Sequence, residues 1–300
     1  MDFIHYYKVL TPDEEYDNVI VLDDERLTSV KYKGDLMAQI QESFMLYQSV
    51  IFNVYNLQKC VMLYANDTVE LTDSCPTEIQ DTTIVINTLI ANIFSSAKTL
   101  TDKMQTIIKK YCNDKSFLQE ITDVYESSYS YRLAQGLRNM CQHGFCVVSK
   151  CNERYGLDLY QLRYVKDFTV NGSFKETLDD LIEKFSMYSC APKYSLSALI
   201  SEYTTDVIGL YLHFLENIRP SIEELDLQLK CFMAQNPELL KHNNPGLSGA
   251  LLIKDNTSLH IVPAKESLLK TIDFYIKDVE KQLSLFKLAE AAVESELAKI

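Results

Sequence analysis

The sequence predicts a mainly α-helical protein, an antiparallel helical bundle with a small β hairpin and short extended additions. Three observations carry this. Glycine (8) and proline (7) are scarce in 300 residues, which leaves long stretches free of helix breakers. Three such stretches precede residue 145 and are separated by brief breaks, as antiparallel neighbours in a bundle require. Along the third, Phe117, Ile121, Tyr125, Tyr129, Leu133, Leu137 and Cys141 recur every four residues, an apolar stripe suited to a core.

Residues 1–34 mix apolar runs, at 3–7 and 19–22, with clusters of acids, and read as an extended, strand-like entry segment. A first helix is expected over 35–65. Cys75-Pro76-Thr77 then breaks the chain, and Thr77-x-x-Gln80 is a capping box for a second helix reaching about residue 111. Asn113-Asp114 opens the third, expected to be one helix over 115–143 with Leu133 and Leu137 buried and Arg138 not. Gly144 stops it. Residues 145–149 and 159–170 read as extended, ending at the turn pair Asn171-Gly172.

Ser173-x-x-Glu176 caps a helix reaching about residue 188. Residues 195–218 form another, through Leu199, Tyr203, Val207, Tyr211, Phe214 and Ile218. Pro220 is expected to end it, and Ser221-x-x-Glu224 to cap the next. Asn243-Asn244-Pro245-Gly246 is a loop. Residues 250–253 and 259–262 flank Asp255-Asn256-Thr257 as a hairpin, and 265–299 read as one long charged amphipathic helix. The chain thus divides into an acidic extended segment (1–34), a helical domain (35–150), and a C-terminal helical region with a hairpin near 250–262 (151–300), packed on the first.

A hydrophobic content of 47% with 24% charged residues is ordinary for a globular protein. The net charge of −13 argues against nucleic acid held on a broad basic surface. Its distribution is uneven: residues 126–168 balance to +2, whereas residues 1–30 balance to −6. That split suits a small basic cleft and not a nonspecific coat.

The start of the chain lacks a basic n-region followed by an apolar core, so no signal peptide is expected. No apolar run approaching the length of a membrane span is read from the sequence. A cytoplasmic protein with reduced thiols follows from the eight scattered cysteines. Cys141, His143, Cys146 and Cys151 crowd together without the close cysteine pairs of structural zinc sites; they read as buried thiols, with no metal and no cofactor expected. No dinucleotide fingerprint, P-loop, serine-hydrolase elbow or His-Glu-x-x-His is present.

The stretch with chemical content is Gly136-Leu137-Arg138-Asn139-Met140-Cys141-Gln142-His143-Gly144. It unites an arginine and a histidine in a chain holding six and five of them. Arg138 offers planar, permanently charged donors suited to phosphate, and His143 exchanges a proton near neutral pH. Asn139 shares a helix face with His143, and Arg138 with Gln142. Arg138 and His143 themselves point about 140° apart on an ideal helix, so bringing them together needs arginine's reach or a second subunit. A proton shuttle beside a clamp for phosphoryl charge is sufficient to cleave RNA, the 2′-hydroxyl acting as internal nucleophile.

Arg138-Asn139 followed by His143 resembles the Arg-polar-x(3–5)-His signature of the HEPN superfamily, and the run Leu137-Arg138-Asn139-x-x-Gln142-His143 resembles a form found in helical bacterial proteins. The match spans about residues 115–150. The resemblance implies an all-helical domain and a metal-independent endoribonuclease of a bacterial toxin–antitoxin, antiviral or stress system. It implies Arg138, Asn139 and His143 as catalytic residues, in a homodimer that brings Arg and His of both subunits into one cleft. RNA is then the substrate, contacted weakly by Arg132, Gln142 and Lys150, with an antitoxin or regulatory protein as partner and no membrane. Family members without catalysis imply the alternative, a helical protein- or nucleotide-binding module. A plainer reading competes: His143-Gly144 also looks like a helix C-terminus, with a basic residue near the last carbonyls and glycine in the left-handed cap.

Overall fold

Helix dominates, as the shortage of glycine and proline requires. The computed structural model describes residues 6–8, 24–66, 76–112, 115–151, 154–165, 172–186, 193–235, 250–254, 259–263 and 268–297. The helices are α1 (Asp24–Asn66), α2 (Pro76–Tyr111), α3 (Ser116–Ser127), α4 (Tyr129–Gln142), α5 (Leu159–Arg163), α6 (Gly172–Ser186), α7 (Leu196–Gln235) and α8 (Leu268–Leu297). Short strands are inserted between them: β1 (Tyr6–Lys8), β2 (Ser149–Cys151), β3 (Arg154–Asp158), β4 (Lys193–Ser195), β5 (Ala250–Lys254) and β6 (Leu259–Pro263). They form two antiparallel three-stranded sheets. In one, β5 lies between β1 and β6, with Tyr7 opposite Ile253 and Leu252 opposite Ile261. In the other, β3 lies between β2 and β4, with Lys150 opposite Tyr155 and Leu157 opposite Tyr194.

Several elements differ from the sequence reading. Helix α1 begins at Asp24 and runs through Gly34, so residues 24–34 are helical and not extended. One internal glycine costs about 1 kcal/mol, far less than the surrounding helix gains from burying Leu36, Met37 and Ile40. Residues 115–143 are two helices: Ser128 is extended (φ −96°, ψ 116°), and its hydroxyl caps α4 by accepting from the Tyr131 amide at 3.1 Å. The interrupted stripe leaves Tyr129 exposed, while Phe117, Leu133 and Leu137 are fully buried.

Residues 159–163 are helical, started by Asp158 accepting from the Gln161 amide at 2.9 Å. Pro220 lies inside α7 and does not end it. Proline removes one helical hydrogen bond and costs about 3 kcal/mol. Here Glu216, whose carbonyl loses its donor, is exposed to water, and the fully buried Ile218 and Ile222 hold the helix on both sides. The Ser221 hydroxyl, expected to cap a new helix, instead contacts the Cys112 thiol at 3.6 Å. The hairpin of β5 and β6 and the long C-terminal helix stand where the sequence puts them. Residues 1–5, 19–22, 113–114, 166–170, 243–246 and 255–257 lie outside the described residues.

Thr82–Tyr111 of α2 contains an 18-residue window of mean hydropathy 1.2, long and apolar enough to cross a membrane by length and composition alone. Its Ile86, Ile90, Ile93, Phe94, Ala97, Leu100 and Met104 form one buried face.

The chain forms two compact units that interleave along the sequence instead of following it serially. The first comprises residues 1–44, 106–114 and 213–278. Its core gathers Leu36, Ile40, Ile108, Phe214, Ile218, Ile222 and Ile272. Phe44 and Tyr275 stack in it at 3.8 Å between centroids, and Arg219 donates to Asp273 at 2.9 Å. The second comprises 45–105, 115–212 and 279–300 and contains α3 to α6 complete. Its core stacks Tyr47 on Tyr211 and sets Phe94 edge-on to Tyr203.

Within the second unit α4 lies against α6 at Gly136, where any Cβ would overlap the buried Phe174 ring. Glycine is therefore required by contact and not by backbone angle. Gly136→Ala is expected to destabilise by about 1–3 kcal/mol through overpacking, despite alanine's better helix propensity. Adding Phe174→Leu should recover part of the loss. Denaturant midpoints measure both; a neutral or stabilising Gly136→Ala would show that α4 and α6 do not meet there.

Candidate functional site

Helix α4 carries the Arg-Asn-x-x-x-His stretch at its C-terminal end, and the way that end closes decides where each side chain goes. His143 is the C-cap (φ −90°, ψ 10°) and Gly144 takes φ 81°, the left-handed region open to glycine. The Gly144 amide donates to the Cys141 carbonyl at 3.0 Å and the Phe145 amide to the Met140 carbonyl at 3.1 Å. Together these are a Schellman closure, which satisfies two of the helix's last carbonyls.

Beyond it, Val147 and Val148 are buried and their amides donate to Asn87 Oδ1 at 2.8 and 3.0 Å. Asn87 Nδ2 donates in return to the Val148 carbonyl at 3.0 Å and to Thr83 of its own helix at 2.9 Å. One buried amide thus ties the segment after α4 to α2, and the end of α4 is fixed.

The sequence-nominated residues separate at this end. Asn139, Gln142 and His143 are exposed. Arg138 is half-buried and not part of the core, but its Nε is interior without a hydrogen-bond partner among the described residues. Burial pushes the Tyr203 hydroxyl well above its ordinary pKa, the neighbouring Tyr131 adds to this, and the Arg138 charge opposes it. The arginine therefore lies towards the tyrosine-rich interior, while Asn139 and His143 face outward, as the helical spacing requires. Lys150 lies in β2. Cys141, half-buried, has its thiol pushed up to about 11 by burial, with Cys146 adding to the shift. A thiol so hard to ionise is a poor metal ligand or nucleophile. Among the described residues no three His, Cys, Asp or Glu converge as a metal site.

Arg132, nominated for RNA contact, is engaged inside the protein. Its Nη1 donates to the carbonyls of Tyr125, at 3.0 Å, and of Glu126, closing the C-terminus of α3. Its Nε reaches the Thr177 hydroxyl at 3.2 Å, and the guanidinium lies 4.7 Å from the Tyr129 ring centre.

At the opposite end of α4 is a polar cluster that sequence reasoning missed. Ser128, besides capping α4, donates to Asp206 at 2.6 Å. The buried Ser130 hydroxyl bonds the Glu202 carboxylate and lies 3.0 Å from the Tyr194 hydroxyl, which in turn donates to Glu202 at 2.9 Å. Burial and the neighbouring Glu202 push Tyr194 far above its ordinary pKa, opposed in part by Ser130. The hydroxyl therefore stays protonated and keeps donating. Glu202 and Asp206, one turn apart on α7, hold the N-terminus of α4 where its dipole favours negative charge. A cleft of about 280 Å3 opens beside them, with Tyr129 and Lys184 on its wall. The i, i+4 carboxylates facing a serine-rich break were the available signal.

In comparison with known proteins, no family model matches this chain, and no curated protein and no solved structure matches it.

The two serines at the α3–α4 break are predicted to differ in weight. Ser128→Ala removes the cap and the Asp206 contact and should cost about 0.5–2 kcal/mol. Ser127→Ala removes only an exposed bond to the Asp123 carbonyl and should stay within about 0.5 kcal/mol. Equal effects in chemical denaturation would show that Ser128 does not start α4.

Proposed function

We propose that this chain is a HEPN-like endoribonuclease that acts as a homodimer, with His143 and Asn139 of α4 working beside Arg138 supplied across the pair. The observation that supports this is the division of the motif. Asn139 and His143 stand exposed at a rigidly closed helix end, while Arg138 of the same chain leans inward. A second copy adds a histidine and an arginine about a two-fold axis, and because its Arg138 leans inward too, this reading requires that guanidinium to turn outward on association.

The reaction needs no outside nucleophile. A base takes the proton of the 2′-hydroxyl, whose oxygen attacks the adjacent phosphorus. The 5′-oxygen leaves with a proton from an acid, giving a 2′,3′-cyclic phosphate and a 5′-hydroxyl. Two copies of His143 supply both base and acid. Arg138 stabilises the charge building on the phosphoryl oxygens.

A second reading has its own support. The Schellman closure makes His143 the cap of α4, and Arg138 leans inward away from it, as suits a helical module that binds a protein or nucleotide and cuts nothing. One experiment separates the two. On the first reading the protein cuts single-stranded or loop RNA in the presence of a chelator and leaves DNA intact. His143→Ala should lower the rate by roughly 10²–10⁴, and Arg138→Ala should lose a comparable amount. On the second, no RNA is cut and His143→Ala alters stability by only about 0.3–1 kcal/mol. RNA cleavage unaffected by either substitution would remove the chemistry from this motif.

A further inference from the structure

Helix α1 is apolar on two opposite faces over residues 45–62. One face is core: Tyr47, Val50, Val54 and Leu57 are all buried, with Tyr47 stacked on Tyr211 at 4.6 Å. The other face carries Met45, Phe52, Tyr55 and Met62, which are 73, 64, 61 and 67% exposed. Both sets lie in the second compact unit. An apolar stripe on the solvent side of a helix has no folding role within its own chain.

The spacing of the outer stripe is informative. With Gln48 and Lys59, also exposed, its members fall at 45, 48, 52, 55, 59 and 62, alternating steps of three and four. That is the seam of two helices packed knobs-into-holes. The seam is also matched to itself in reverse. About a two-fold axis between residues 53 and 54, Phe52 meets Tyr55, Gln48 meets Lys59 and Met45 meets Met62. Aromatic lies on aromatic at the centre, thioether on thioether at both ends, and the lone cation meets a neutral amide instead of another cation. The four apolar side chains present on the order of 500 Å2 per copy, the size of the largest patch on a typical monomer, which is often a functional surface. With the stems of Gln48, Gln58 and Lys59 the face approaches the roughly 800 Å2 per partner of a stable interface.

We propose that this face is a homodimer interface, in which α1 of one copy packs antiparallel on α1 of a second copy along Met45, Phe52, Tyr55 and Met62. The isologous pairing follows because the same stripe serves both partners. The inference does not rest on RNA cleavage. It supplies the second copy which that reading requires without fixing where its α4 lies, and its readout is association alone.

Sedimentation of the full chain at micromolar concentration tests it. Wild type should be a dimer. Phe52→Lys/Tyr55→Lys sets lysines against lysines across the axis and should weaken the dimer by roughly 100-fold or more. Phe52→Glu/Tyr55→Glu should do the same, and mixing the two should restore a dimer. Phe52→Lys/Tyr55→Glu pairs opposite charges only in the antiparallel register and should associate more tightly than either like-charged variant. A monomeric wild type, whether or not it binds neutral lipid vesicles, overturns the proposal. So does a dimer indifferent to the like-charged variants, or one lost equally in all three. Should a charged variant misfold by circular dichroism, a photo-cross-linking residue at Met62 in the otherwise native chain decides. It should join the peptide carrying Met45 of the second copy, and cross-linking elsewhere overturns the register.

Discussion

Asn87 is the residue on which the geometry of the candidate site depends. It is buried on a face of α2 otherwise filled by Ile86, Ile90, Ile93 and Phe94, where an unpaired amide would cost several kcal/mol. The amide is instead fully paired, accepting from two successive backbone N–H groups and donating to two carbonyls. Without it Val147 N, Val148 N and the Val148 carbonyl would be left buried and unsatisfied, at about 1–3 kcal/mol each. One side chain therefore sets where the chain leaves α4, and through the Schellman closure it sets which way His143 and Asn139 face.

The two ends of α4 are held by different chemistry. The N-terminal end is gripped by hydroxyls and carboxylates, with Ser128 bonded to Asp206 and Ser130 and Tyr194 sharing Glu202. The C-terminal end is closed by backbone alone, and the clamp lies beyond it on α2. Between them Gly136 admits Phe174 so closely that the helix cannot slide without the ring moving. The motif thus sits on a rigid element, as positioning of reacting groups requires. The same rigidity keeps Arg138 and His143 of one chain on different sides of the helix.

Much of the helix content was legible, because it depends on local pattern. The Gly144 stop, the burial of Leu133 and Leu137, the β5–β6 hairpin and the long last helix follow from composition and spacing. What escaped depends on partners far along the chain. A repeat of four is equally consistent with one helix or two, and Ser128 lacks the Glu or Gln three residues on that marks a capping box. Its decisive partner, Asp206, is 78 residues away. Pro220 misled because the local cost of about 3 kcal/mol is offset by burying Ile218 and Ile222, each contributing roughly 1.5–3 kcal/mol. Asp158-x-x-Gln161 did carry a capping signal for α5 that an extended reading of 159–170 passed over. Asn87 offered only the faint sign of a lone amide on a core-facing stripe, since the backbone it holds lies about sixty residues on.

Amide hydrogen exchange at Val147 and Val148 tests the central claim, that a buried side-chain clamp fixes the end of α4. In the native chain both amides should exchange only with opening of the surrounding core, as slowly as the amides around Leu133 and Leu137. In Asn87→Ala they should become fast, together with Gly144 and Phe145, while the first turns of α4 keep their protection. Unchanged slow exchange at Val147 and Val148 in that variant would contradict the account.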